Sequence, residues 1–145
     1  QPYAEDVVAT GGGHIWQAAA ARGLTSYTSL NTTRAFLERH PDTALGMTRA
    51  MHRTLKWIAA HDGSALAAAV GSYFASIDAG RLAACFERYK RLGLWNTSPV
   101  FRPEGIERLR DAMRAAGYIT TPLTFEECVD NRFAERSARE DPPPL

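Results

Sequence analysis

Four histidines, two cysteines, an adjacent pair of glutamates and a triple glycine are the residues of this chain whose types could do chemistry. Their spacing argues against most of it. His52 and His61 stand on or just beyond one predicted helix, about 13 Å apart along its axis at the helical rise, which is too far to share one ion. No H-E-x-x-H sequence is present, and a surface or capping role suits these histidines better than metal or acid–base work. His14 differs, because it follows Gly11-Gly12-Gly13 and a glycine loop can bring backbone close to a ligand. The same glycines lack a following Lys-Ser or Lys-Thr, so they make no phosphate loop. Cys85 and Cys128 lie outside any C-x-x-C pair and away from a histidine at ligand spacing, and no metal site is expected. They read as two buried thiols serving as small apolar side chains. A disulfide is the alternative, since sequence does not show whether the two approach. Glu126 and Glu127 could pose as paired carboxylates, but a place in the first turn of a helix explains them without catalysis.

Trp16, Trp57, Trp95, Tyr27 and Tyr73 have flat faces that could stack on a planar solute. At helical spacing such aromatics read as core. Arg108, Arg110 and Arg114 raise the question of nucleic acid, yet Arg108 and Arg110 do not share a helical face. Fifteen of the seventeen basic residues are Arg, interleaved with acids to a net charge of +1, which reads as a solvated surface and not a phosphate-binding stripe. At 145 residues there is chain enough for one core, and 45% hydrophobic with 23% charged residues is ordinary for a soluble domain. No apolar run of membrane-spanning length occurs. Nor does a basic start followed by an apolar stretch and a small-residue cleavage site.

The elements that must position these residues are mostly helical. Residues 1–30 read as an irregular segment: Gln1–Gly13 without regular structure, His14–Ala21 balanced between helix and strand, and Thr25–Leu30 alternating like a strand edge. From 31 to 138 the helix signals are cleaner. Asn31 or Thr32 can cap a short helix through His40, after which Pro41 opens a second with Asp42 at its positive end. Ala44, Met47, Met51, Leu55 and Ile58 make its apolar stripe. Gly63-Ser64 breaks it and starts a third, with Leu66, Val70, Tyr73 and Phe74 inward. Asp78 caps a fourth on Leu82, Phe86 and Tyr89, stopped by Gly93. Pro103 to Gly117 is a fifth, with Ile106, Leu109 and Met113 inward. Thr124 and Glu127 form a capping box for a last helix burying Phe125, Val129 and Phe133. Asp141 and the three prolines after it cannot continue a helix, so 139–145 reads as a disordered tail.

The order of several segments resembles a known family. They are Thr33-Arg34-Ala35-Phe36-Leu37-Glu38-Arg39-His40-Pro41-Asp42, then Ala50 through His61 around Lys56-Trp57-Ile58. Phe86-Glu87-Arg88-Tyr89 with Leu94-Trp95 follows, and Glu104-Gly105-Ile106 through Ala134 closes the series. Over about Ser26 to Arg136 they look like the C-terminal half of a periplasmic solute-binding protein of an ABC importer. The type is the one that serves nitrate, sulfonates, taurine and pyrimidine precursors. Gln1-Pro2-Tyr3 stands where that family often carries Glu-Pro-aromatic, and Gln in place of Glu is a departure from the pattern.

The resemblance implies the C-terminal portion of a type 2 periplasmic-binding (α/β) fold, here mainly α with one or two short strands. It implies a non-enzymatic, extracytoplasmic fragment whose full form closes two lobes on a small solute and presents it to an ABC permease. A chain opening without Met fits a reading that begins mid-protein. Tyr3, near the expected lobe boundary, and His14 are the candidate solute contacts; no catalytic residue, metal or cofactor is expected. Helices that brace an absent sheet should expose apolar stripes, from which self-association follows. Two alternatives stand beside this reading. One is a stand-alone helical interaction domain. The other is an enzyme of the pyrimidine-precursor synthase branch of the same fold, whose Cys-rich signature this sequence lacks.

Overall fold

A computed structural model describes residues 2–26, 28–121 and 123–145. The helices among them are α1 (Tyr3–Ala9), α2 (Arg34–Arg39), α3 (Pro41–Ala60), α4 (Gly63–Val70), α5 (Ala79–Arg91), α6 (Pro103–Ala115), α7 (Phe125–Cys128) and α8 (Arg132–Glu140), with 3-10 turns at Ala19–Arg22 and Gly71–Phe74. The chain is mainly α, and no described residue lies in a β-strand. No described helix is long and apolar enough to cross a membrane.

Local chemistry sets the helix ends. Thr33 accepts from the Phe36 amide to open α2, Asp62 from Ala65 to open α4, and Asp78 from Arg81 to open α5. Thr124 and Glu127 complete a capping box at α7. Gly93 and Gly117 adopt positive φ just past α5 and α6, the left-handed stop that costs glycine little.

The contacts divide the chain into two compact units that interleave along the sequence. The first holds the stretch through Arg22 together with Thr54–Thr97. In it α4 packs on α5, burying Leu66 and Ala67 of one against Leu82 and Cys85 of the other face. Gly63 makes that approach close: a Cβ there would overlap the Ala83 carbonyl oxygen. The Gly63 amide donates to the Glu87 carboxylate, so α5 supplies an anion to the positive end of α4. Lys90 completes the pairing by donating its ammonium to the Ala59 and His61 carbonyls at the negative end of α3.

The second unit holds Gly23–Arg53 and Ser98–Pro144. Buried Ala44 and Leu45 of α3 and Ala134 of α8 are its apolar centre. His52 Nδ1 lies 3.1 Å from Ser137 Oγ, and both side chains are buried. Asn131 pairs with the extended Phe101 backbone on both edges, accepting from its amide at 3.0 Å and donating to its carbonyl at 2.9 Å. The Ser26 amide donates to the Gly105 carbonyl, and a side chain on Gly105 would collide with Ser26.

Several expectations from sequence are corrected. Thr25, Ser26 and Thr28–Leu30 form no strand, and Ile15-Trp16 lie in a loop. A strand needs a partner for its ladder, and the described residues offer none. Tyr3–Ala9, inside the segment read as irregular, is a helix, with Glu5 and Asp6 at its positive end. In α3 the inward face is Ala44, Leu45 and His52, while Met47 and Met51 are exposed. Tyr73 and Phe74 leave the α4 stripe because the helix tightens into a 3-10 turn, and both are exposed. The last helix is two: Val129 takes an extended conformation after α7, and α8 begins afresh at Arg132. It runs to Glu140, into the segment read as a disordered tail, and Arg53 then donates to the Pro143 and Pro144 carbonyls. Both cysteines are free thiols; Cys85 is buried as expected, and Cys128 is exposed because α7 is too short to carry it inward.

Candidate functional site

The first unit carries the candidate site. Its centre is the last turns of α5, where side chains three or four apart share a face. On one side Phe86 and Tyr89 hold Trp95, at ring separations of 5.9 and 5.6 Å, the second pair edge-to-face. On the other side Arg88 reaches α1. Its Nε and Nη2 donate to the two oxygens of Glu5 in a fork-on-fork pair. Glu5 is only 7% exposed, yet the Arg88 hydrogen bonds hold its carboxyl below the usual carboxylate range against the opposing effect of burial. One residue on, Asp6 pairs with Arg81, so two acids pin α1 to α5.

The chain after α1 folds back on it. Gly11 at positive φ lets the Gly12 amide reach the Val7 carbonyl, 2.9 Å away. The following loop and the Ala19–Arg22 turn form, with the end of α5, a cleft of about 350 Å³. Ile15 and Ala18–Ala20 make one wall; Tyr89, Leu92 and Leu94 make the other. Gln17 and Arg88 are its polar groups. Burial pushes the Tyr89 phenol up, so it stays protonated and uncharged. The size falls within the range of small-molecule sites, and the mostly apolar lining with a few polar groups is their usual chemistry. A smaller cleft of about 210 Å³ lies among Leu55, Ile58, Lys90 and Trp95, but its cation is spent on the end of α3.

Neither of the two candidate contacts chosen from sequence lines this cleft. His14 precedes the cleft wall directly and is exposed, and Tyr3 opens α1, 79% exposed, two residues before Glu5. Gln1, of the Gln1-Pro2-Tyr3 correspondence, and Tyr27, of the stacking candidates, lie outside the described residues. Trp57 stacks on His61 at 4.3 Å and Trp95 joins its aromatic cluster, yet both are only half-buried and stand at the edge of the core rather than in it. Trp16 and Tyr73, read as core, are instead 90% and 84% exposed. His52 is neither a surface nor a capping residue but the buried partner of Ser137. With Ser137 wholly buried, that pair offers no access to a substrate and is a structural clasp. No cluster of metal-ligating side chains occurs among the described residues. Glu127 is held below the ordinary carboxylate range by the Thr124 amide and hydroxyl, which settles it as a cap.

Sequence reasoning missed Glu5 and Arg88. Their 83-residue separation leaves no local signal, and an acid in the first turn of a helix already has an explanation.

By sequence the chain is similar to a Bacillus subtilis (strain 168) protein named "Putative binding protein YtlA", 23% identical over 118 residues. Those residues are 81% of this chain and 35% of that protein, so the chain spans about a third of the relative it matches. No family model matches the chain. No solved structure matches it.

Proposed function

We propose that this chain is part of the solute-binding component of an ABC importer, of the type serving nitrate, sulfonates, taurine or pyrimidine precursors. In that reading it is non-enzymatic and extracytoplasmic. The whole protein closes two lobes on a small solute and hands it to a permease. Its scaffold is the C-terminal portion of the type 2 periplasmic-binding fold. What carries the reading is the order and spacing of the segments quoted between about Ser26 and Arg136. The similarity to a protein whose name says "binding protein", over a third of that protein's length, supports it. At the coarser level of a binding role, and not of the solute class, so does the mostly apolar cleft beside α5, which has the chemistry of a ligand surface.

Closure requires both lobes, so the 145-residue chain alone should give no heat with nitrate, taurine or a hydroxymethylpyrimidine at micromolar concentration in a calorimeter. Micromolar affinity would overturn the division of labour. The companion measurement is the intact mass of the protein in the cells that make it, detected with an antibody against this chain. A mass near twice 15.9 kDa or above supports the two-lobe reading. A mass equal to that of this chain would replace it with a stand-alone helical interaction domain.

A further inference from the structure

We propose that the cleft between the 15–20 segment and α5 takes an uncharged, largely apolar small molecule, and that Glu5 sets this preference by neutralising Arg88. The proposal rests on the reading of this cleft as a ligand surface and adds the class of ligand.

An anion that gives up its hydration needs net positive charge left over after the protein has paired its own groups. Arg88 is the cation of this lining, and the Glu5 carboxylate already cancels its charge, with Nε donating to one oxygen and Nη2 to the other at 3.0 Å. Glu5 is almost wholly buried, so water does little to soften its repulsion of an incoming anion. A nitrate or sulfonate entering here would give up its hydration and meet a charge-neutral pair.

An uncharged ring loses no such hydration. It gains apolar contact with Ile15, Leu92 and Leu94, all at least a third exposed in the open cleft. Gln17 offers both a donor and an acceptor, and the Tyr89 hydroxyl a second donor, which suits the edge of a heterocycle more than a charge. Glu5 is thus a specificity-determining residue that acts through Arg88 and does not touch the ligand.

The test uses the full chain, labelled with ¹⁵N and titrated separately with indole, nitrate and methanesulfonate. Indole should move the amides of Ala19, Leu92 and Leu94 in proportion to its concentration, and the two anions should leave the Arg88 Nε–H signal in place. Leu94→Trp, at an exposed position, should fill the cleft and abolish the indole shifts. Glu5→Gln should free Arg88, so that nitrate now moves its Nε–H signal. The proposal is overturned if indole leaves those amides still, if Leu94→Trp leaves the indole shifts intact, if either anion moves Arg88 while Glu5 is present, or if nitrate still leaves Arg88 unmoved in folded Glu5→Gln. Should Glu5→Gln fail to fold, the wild-type titrations and Leu94→Trp decide the matter. These shifts read the cleft alone, whereas the intact mass and calorimetry read the importer role, so either idea can fail without the other.

Discussion

At the scale of single residues, the chain places an acid where an apolar side chain would be expected. Glu5 turns inward from α1, while Val7 and Val8 on the same helix stay at least a third exposed. Breaking such a pair from one side leaves a buried charge unmatched, so Glu5→Gln should cost about 3 kcal/mol at neutral pH in urea unfolding. The sign of its pH dependence follows from the lowered folded-state value. The pair's contribution is complete above the ordinary carboxylate value of about 4.3 and is lost as pH falls through the lower one. The gap between wild type and variant should therefore close in acid; a gap constant down to pH 3 would mean that Arg88 does not hold Glu5. The thiols give an independent residue-scale check. Exposed Cys128 should react with an aromatic disulfide reagent in the folded chain. Cys85, buried and with its thiol pushed up by that burial, should react only on unfolding. Of this only the burial of Cys85 was legible in the sequence; the Glu5–Arg88 pair and the exposure of Cys128 were not, because burial is decided by what the rest of the chain brings alongside.

At the scale of elements, several starts and stops were legible, though not those of α1 or the break between α7 and α8, and faces were not. Asp78, Pro41, Pro103, Gly93, Gly117 and the Thr124–Glu127 box act on backbone within one turn of themselves, so their meaning survives without knowledge of the fold. The inward face of α3 depends on partners distant in sequence. Met47 and Met51 form as good a stripe as Leu45 and His52 until Ser137 arrives to satisfy the histidine. The supposed strand at Thr25–Leu30 failed, among its described residues, for a related reason, since alternation describes one strand and a ladder takes two. Gly63 lies between these cases: legible as a breaker, but not as the point where α4 touches the α5 backbone. Gly63→Ala should destabilise the chain by about 1–3 kcal/mol, as overpacking does, despite alanine's better helix propensity. An unchanged or raised melting temperature would show that α4 and α5 can separate to admit the methyl group.

At the scale of the molecule, few large apolar side chains are wholly inside. The buried apolar residues described are three leucines, three alanines and a cysteine. Polar ties make up part of the difference, and in the second unit four of them share one form. Arg34 donates to the Glu127 carbonyl at 2.8 Å, Arg53 to Pro143 at 3.0 Å, Arg108 to Leu24 at 3.0 Å and Arg110 to Leu123 at 3.2 Å. Three of these guanidiniums fasten loop backbone and Arg34 fastens that of the short helix α7, work that a sheet would do with its own amides. A denaturant that is itself a guanidinium ion competes chemically for those same carbonyls, whereas urea carries no such charge. Guanidinium chloride ordinarily unfolds a protein at about half the molarity of urea. Here its midpoint should fall well below half, with the segments around Leu24 and Leu123 and the short helix α7 losing amide protection from hydrogen exchange before α3 does. Equal ordering in the two denaturants would mean that the arginines merely rest on those loops and do not hold them.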